Sequence, residues 1–277
     1  MNGQPKQAGR LRLGIAGLGT IGLAVARRVD AGDAGDMVVS AVSARDTQRA
    51  ADNVAGFAHR PEVVPIGEIG EHCDVVLECA PRAVFDDLAA SAISNGCVFI
   101  PLSVGALLDR PDLVDQARAT GAKIVVPTGA LIGLDAVKAI AQGNVSSITM
   151  VTRKPPRGLK GAPHIAATGV DLDAVTQPLK VFSGTAREAA KGFPANVNVA
   201  AALGLAGIGP DRTMVEIWAD PTVQHNSHTI TAKSDSSDFT MTIQNIPTEE
   251  NPPTGKITAL SALATLQRLT SPLVVGT

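Results

Sequence analysis

The chain has 277 residues, of which 45% are hydrophobic and 18% charged, and it carries a net charge of −2. That length suits two domains, and that apolar supply suits a sizeable core. The near balance of charge, the 3% aromatic content and the lack of Tyr argue against nucleic acid or an anionic membrane as partner, since neither a basic surface nor stacking platforms are supplied. Cys73, Cys79 and Cys97 are odd in number and lack CxxC spacing. A disulfide framework or a metal site is therefore not expected, and the thiols read as small buried groups of a reducing, cytoplasmic compartment. The first ten residues are polar and read as a disordered leader, and no apolar run approaches the roughly 18 residues of a membrane span.

In chain order, Leu11 to Ala16 reads as a strand, followed by Gly17-Leu18-Gly19-Thr20-Ile21-Gly22 and a helix from Leu23 to Val29. Further strands are expected at Met37 to Ser43, Val63-Val64, Asp74 to Cys79, Cys97 to Pro101 and Lys123 to Val126. Helices are expected at Thr47 to Ala55, Ala83 to Asn95 and Pro111 to Thr120. This alternation predicts an α/β fold with a Rossmann-type doubly wound parallel sheet over residues 1–130. Beyond it, one helix is expected from Ala130 to Gln142, a strand from Ser146 to Arg153 and a Pro/Gly-rich loop from Pro155 to Pro178. A brief strand at Val181 to Ser183 and helical stretches over Ala186 to Leu205 follow. Three closely spaced strand runs, Thr213 to Ala219, His228 to Ala232 and Phe239 to Ile246, predict an antiparallel sheet and hence a second α+β domain over 131–250. The amphipathic pattern from Ile257 to Leu269, within 251–277, is expected to return to the first domain.

The glycine motif follows a strand and opens a helix, which is the context that gives GxGxxG meaning. Gly17 would permit the tight turn, Gly19 would leave room for a pyrophosphate, and Gly22 would let helix and strand pack closely. The helix start would then present N–H groups to the phosphates, with Thr20 and Ile21 among the contacts. In an NAD-specific fold an acidic residue ends the second strand. Here the sequence is Ser43-Ala44-Arg45-Asp46. Ser43 and Arg45 could hold a 2′-phosphate, or Asp46 could reach the ribose by a shifted turn, so both NAD and NADP are candidate cofactors.

Several strings in the second half are uncommon: Thr128-Gly129-Ala130-Leu131-Ile132-Gly133-Leu134-Asp135, Thr152-Arg153-Lys154-Pro155-Pro156, Phe193-Pro194-Ala195-Asn196-Val197-Asn198-Val199-Ala200, Ala219-Asp220-Pro221 and Asn226-Ser227-His228. With the N-terminal glycines, in this order and over nearly the whole chain, they resemble the L-aspartate dehydrogenase family. The chain departs from that pattern at Thr128, where the family usually has Ser, and at Pro253-Thr254-Gly255, where it often has a Lys-Thr-Ser run. The resemblance implies oxidation of L-aspartate with NAD(P)+ to iminoaspartate, then oxaloacetate and ammonia, in a homo-oligomer, usually a dimer, linked to NAD biosynthesis. It also implies a catalytic His at His228 and nicotinamide-side contacts at Ala130 and at one of Asn196 or Asn198. The alternatives are a homoserine dehydrogenase-like or dihydrodipicolinate reductase-like oxidoreductase, or a nucleotide-sensing protein without catalysis.

Oxidising an amino acid requires loss of a proton from the ammonium, and hydrolysing the imine requires an activated water. A group titrating near neutrality serves both steps. The histidines are His59, His72, His164, His225 and His228. His59 and His72 lie in the cofactor half, and His164 lies in the Pro/Gly loop, which could be a mobile lid. Alternation puts His228 on the apolar face with Ile230 and Ala232, and His225 on the opposite parity. On the residues alone a hydrogen-bonded core histidine is the simpler reading; the resemblance turns it toward catalysis. Two substrate carboxylates call for fixed cations. Arg153, Lys154, Arg157, Arg187 and Lys191 are the candidates, and sequence alone does not choose among them. Glu78, Asp135 and Asp220 are candidates to orient the His or a ribose hydroxyl.

Overall fold

The computed structural model describes residues 9–194, 198–249 and 255–277. Residues 1–8 of the expected leader, Asn196 and the Pro253-Thr254 departure lie outside them. The chain divides into two compact units. The first comprises the residues up to Pro101, Asp112–Val125 and Leu263–Val274; the second comprises Leu102–Pro111, Val126–Ala262 and Val275–Thr277.

The elements of the first half are β1 (Leu11–Ala16), α1 (Thr20–Asp30), β2 (Met37–Ser43), α2 (Thr47–Val54), β3 (Glu62–Val63), β4 (Val75–Glu78), α3 (Phe85–Ser94), β5 (Val98–Pro101), α4 (Val104–Leu107), α5 (Asp112–Thr120) and β6 (Lys123–Ile124). The six strands form one parallel sheet in the order β3-β2-β1-β4-β5-β6. Its central strands are apolar on both faces, with Leu13, Ile15, Val76, Leu77, Phe99 and Ile100 all buried, as a sheet covered by helices on both sides requires. The order reverses between β1 and β4, and the crevice beyond their carboxyl ends is where such sheets bind ligands.

Helix α4 was not anticipated, and it carries its segment out of the first unit. Val104 and Leu108 pack against Ala201 and Ala202, and Arg187 Nη1 donates to the Leu108 carbonyl at 2.8 Å. A domain boundary set at residue 130 misses this excursion, because its cause is a contact nearly a hundred residues away in sequence.

The second half contains α6 (Leu134–Ile140), β7 (Val145–Lys154), α7 (Pro163–Thr168), β8 (Leu179–Thr185), α8 (Ala186–Gly192), α9 (Asn198–Ala206), β9 (Thr213–Ala219), β10 (Ser227–Ser234), β11 (Asp238–Gln244) and α10 (Lys256–Thr270). Helix α6 is shorter than the expected Ala130–Gln142 because Gly133 is its N-cap at φ +67°, a left-handed conformation that cannot continue a helix. The segment expected as plain loop contains α7 and two 3-10 turns, Pro156–Leu159 and Leu172–Ala174.

The second sheet runs β11-β10-β7-β9-β8. It is mixed, which corrects the antiparallel expectation. β10 and β11 form an antiparallel hairpin, but β7 lies between β10 and β9 and pairs with β9 in parallel. The ten-residue β7 takes the centre because its inward residues Ile148 and Met150 complete one apolar layer with Val215, Ile217, Ile230 and Ala232. Helices α6, α8 and α9 cover that layer through Val137, Ala189 and Leu203. The opposite face is rich in threonine, with hydrogen-bonded cross-strand pairs Thr229–Thr242 (3.0 Å) and Thr231–Thr240 (3.2 Å).

The last turns of α10 belong to the first unit. Leu263 and Leu266 are buried there. Gln267 Nε2 donates to the Asp33 carbonyl (2.6 Å), and the Thr270 hydroxyl donates to that of Ala34 (2.8 Å). Among the described residues no helix is long and apolar enough to cross a membrane. Because Leu266 is fully buried, Leu266→Ala is expected to lower stability by about 2–5 kcal/mol, measured by urea denaturation; a loss below about 0.5 kcal/mol would show that α10 does not anchor the first unit.

Candidate active site

The three motif glycines do three different jobs. The chain leaves β1 at Gly17, whose φ of +90° is open only to glycine. A Cβ there would lie 2.5 Å from the carbonyl oxygen of Cys79, so the turn is pressed against the end of β4. At Gly22 a Cβ would collide with the Gly17 carbonyl oxygen and crowd Ile15 Cγ2 at 3.3 Å. Gly19 differs: its backbone is extended and a Cβ would meet nothing within 4 Å. Among the described residues no packing demands glycine at that position. It is the N-cap of α1 and offers no side-chain cap, and the first turn of the helix holds no acidic residue. An open space facing uncapped N–H groups at a helix start fits a pyrophosphate.

At the tip of β2, Ser43 is buried and its carbonyl accepts from the Gly17 amide at 2.7 Å. Arg45 is exposed. Asp46 is the N-cap of α2, its carboxylate accepting from the Arg49 amide at 3.0 Å. Glu78, buried at the end of β4, folds back to accept from the Ala80 amide at 3.0 Å.

In the second unit, β7 and β10 pair so that His228 lies opposite Thr152. His228 is 3% exposed, on the face with Ile230 and Ala232 as strand alternation requires, and its Nδ1 is 3.0 Å from the Thr152 hydroxyl. Two residues on, Lys154 occupies the same inward face and is 6% exposed. Burial, then the nearby Lys154 charge, pushes the His228 pKa down to about 3, so the imidazole is neutral at physiological pH. Burial lowers the Lys154 ammonium to about 8.

The intervening Arg153 points the other way. Its guanidinium meets the Asp220 carboxylate at 2.9 Å and lies over the ring of Trp218, 4.8 Å from its centroid. Burial alone would raise the Asp220 carboxyl, but the Thr222 hydroxyl and amide and the Arg153 guanidinium together hold it below the usual carboxylate range. Asp220 therefore orients Arg153, and the residue that orients His228 is Thr152. Asp135 is exposed in the first turn of α6.

The other histidines have different occupations. His59 meets Arg10, and His72 pairs with Glu62 at 2.9 Å. His225 is exposed. His164 is packed between Phe182 and Phe193, with centroids 5.2 and 5.3 Å away, and its Nε2 meets the Val181 carbonyl at 3.1 Å. It is part of a packed aromatic cluster. Among the basic candidates, Arg187 is engaged by Asp211 and Leu108, and Arg157 and Lys191 are exposed.

Ala130 sits in the turn before α6, and its carbonyl accepts from Asn245 Nδ2 at 3.0 Å. Asn245 is 5% exposed, and its buried Oδ1 has no hydrogen-bond partner among the described residues. Asn198 Oδ1 accepts from the Gly105 amide at 3.0 Å. Thr152 entered the sequence analysis only as the start of one uncommon string and Asn245 not at all, and neither was a candidate site residue. The parity of the Thr152–Lys154 strand end was a usable signal for the first; nothing in the local sequence marks the second.

Residues 17–127 match the family described as homoserine dehydrogenase, NAD binding domain, and residues 135–269 match aspartate dehydrogenase, C-terminal. An L-aspartate dehydrogenase of Bradyrhizobium diazoefficiens is 53% identical, the alignment covering 96% of this chain and 94% of that protein. L-aspartate dehydrogenase 3 of Bordetella bronchiseptica is 50% identical over 96% of this chain and 98% of its own length. The chain belongs to the L-aspartate dehydrogenase family. It is accordingly an oxidoreductase with a nicotinamide-cofactor domain joined to the family's own C-terminal half. The crystal structure of aspartate dehydrogenase from Thermotoga maritima superposes with a TM-score of 0.72 at 25% identity, covering 96% of this chain and 99% of that one.

The contrast among the glycines is testable. Gly19→Val is expected to leave the melting temperature unchanged while weakening dinucleotide binding by about tenfold or more, whereas Gly22→Val destabilises the fold itself. Calorimetry and cofactor titration on both variants check this, and a Gly19→Val protein that binds the dinucleotide normally contradicts it.

Proposed function

We propose that this protein oxidises L-aspartate with a nicotinamide dinucleotide, forming iminoaspartate that hydrolyses to oxaloacetate and ammonia, and that His228 handles the protons. The observation that carries the reading is a neutral imidazole buried beside a buried ammonium, in a chain matched end to end by relatives named for that activity. The cofactor, when bound, accepts the hydride from the substrate's α-carbon. Gly17, Gly19, Thr20, Ile21 and Gly22 would hold its pyrophosphate. Ala130, together with Asn196 or Asn198, would lie on its nicotinamide side.

The chain's own residues do the rest. Thr152 accepts from Nδ1–H of His228, which leaves the Nε2 lone pair to take a proton from the substrate ammonium. Imidazolium so formed is destabilised by burial and by Lys154, so it passes its proton on to solvent and is free to act again. The same nitrogen then activates the water that hydrolyses the imine. His228→Ala is expected to lower kcat by roughly 100-fold or more, the usual scale for a general acid–base group, with little change in cofactor affinity. The assay follows reduced-nicotinamide absorbance with L-aspartate. Wild-type enzyme that turns over L-alanine as readily as L-aspartate would overturn the substrate assignment, and near-normal turnover by His228→Ala would overturn the role of His228.

The reading extends to both cofactors. Strict NAD selectivity normally uses a carboxylate at the tip of β2, and here Asp46 is engaged in capping α2 while Ser43 and Arg45 occupy the tip. Arg45→Ala should raise KM for NADP+ by about tenfold to a hundredfold, the worth of one charge-assisted bond, and change KM for NAD+ little. Absence of any NADP+ activity in the wild type would point instead to Asp46. In the cell, the same reading makes the enzyme a cytoplasmic homodimer whose iminoaspartate supplies pyridine-nucleotide synthesis.

A further inference from the structure

We propose that Asn245 Oδ1 is the acceptor that receives the nitrogen of the amino-acid substrate, beside His228 on the inward face of the second sheet. The inference rests on the proposed activity and adds a residue to it. Asn245 follows β11 and extends its ladder, its amide donating to the Asn226 carbonyl at 2.8 Å. In the β10–β11 register Ile243 lies opposite His228. Asn245 is two residues further along, so strand alternation turns its side chain to the same face as His228. The two residues are diagonal neighbours, about 7–8 Å apart at Cα in such a ladder. An imidazole and a carboxamide extend far enough across that gap for one small ligand nitrogen to bond both.

Chemistry fixes which way the carboxamide points. Nδ2 meets the Ala130 carbonyl at 3.0 Å, and a carbonyl only accepts, so the atom turned away from it is the acceptor Oδ1. That oxygen is buried and has no hydrogen-bond partner among the described residues. Gly255 runs alongside it: a Cβ there would come 3.4 Å from Oδ1, so glycine keeps that side clear of a side chain. A buried amide oxygen left unbonded is costly, and its complement is an N–H brought by a ligand. The proposed reaction requires the substrate ammonium to lie within hydrogen-bond reach of His228, which puts its remaining N–H groups beside this oxygen.

Both side chains then act on one nitrogen. One ammonium proton passes to His228 Nε2, and a second N–H donates to Asn245 Oδ1. The Cα–H bond breaks, its electron pair leaving with the hydrogen as the hydride that reduces the nicotinamide, while the nitrogen lone pair closes the C=N bond. Positive charge develops on the nitrogen in this step, and the N–H···Oδ1 bond strengthens with it, which is the condition for lowering the barrier. A neutral acceptor suits this order, because a carboxylate in its place would hold the ammonium proton back. The same bond selects amines over alcohols. A 2-hydroxy acid gives its one hydroxyl proton to His228 and has no second hydrogen for Oδ1, which is left unbonded.

The test is calorimetric titration of full-length enzyme, saturated with NAD+, with two non-reacting ligands. One is 2-methyl-L-aspartate, which keeps the ammonium but has no α-hydrogen to transfer; the other is 2-methylsuccinate, which lacks the nitrogen. Asn245→Ala should weaken the first about tenfold to a hundredfold, the worth of a hydrogen bond to a charged group, and the second by less than about threefold. NAD+ affinity should stay within about threefold. An equal loss for the two ligands is the mark of a structural role through the Ala130 turn and overturns the inference, as does no loss for either. A loss in NAD+ affinity alone would assign Oδ1 to the cofactor's carboxamide and overturn it too. Should Asn245→Ala fail to fold, a crystal structure of wild-type enzyme with NAD+ and 2-methyl-L-aspartate decides. The ligand nitrogen is expected within about 3.2 Å of Oδ1, and an Oδ1 bonded instead to water or to another protein donor overturns the inference. A nitrogen-specific loss in an enzyme that does not oxidise L-aspartate would sink the proposed activity and leave this site standing.

Discussion

The register between β7 and β10 is the constraint on which the chemistry of the second unit depends. Thr152 sits opposite His228 and Arg153 opposite Ser227. A slip of β7 by one residue would send Thr152 and Lys154 to the other face, bring Arg153 inward and leave His228 without its partner. The register is pinned along its length by the apolar layer of Ile148, Met150, Ile230 and Ala232, which has nowhere else to be buried. It is pinned at its end by polar contacts on the opposite face, where Asp220 ties Arg153 outward while its own amide caps the Lys154 carbonyl. The same pair of strands therefore holds a dry hydrophobic core along most of its length and two ionisable groups at one end.

That arrangement shifts both groups in one direction. Burial disfavours charge on His228 and on Lys154, and the Lys154 charge further opposes one on His228. A neutral imidazole beside an ammonium is the state that this environment selects. Thr152 adds orientation without adding charge, which a carboxylate in the same position would not do. Had Asp220 faced His228, the imidazolium would be stabilised and the base would hold its proton.

The first unit solves a different problem with backbone alone. Gly17 and Gly22 are required by the protein's own packing against Cys79 and Gly17, whereas no atom of the described residues claims the space beside Gly19. The motif thus divides, as its spacing predicts, into two glycines that build the turn and one that leaves room. The neighbouring β2 tip follows the same economy: the carboxylate nearest to it closes the amino end of α2.

The sequence by itself determined the parallel sheet, the place of the glycine turn after β1 and the inward parity of His228. All three are local: they follow from strand alternation, from glycine sterics and from the hydrophobic periods of β1, β2 and β10, whose bounds were legible to within a residue or two. Tertiary structure decided what depended on distant partners. It placed β7 between β9 and β10, drew α4 onto α9 through Val104 and Ala201, and tied Asn245 to the Ala130 carbonyl across 115 residues of chain. It separated Lys154 from Arg153, which sequence leaves as adjacent and interchangeable charges. The physical reason is that burial is a property of the assembled fold: a lysine becomes a perturbed cation only when the strands around it have excluded water, and no local pattern records which of two neighbouring cations will be on the dry side.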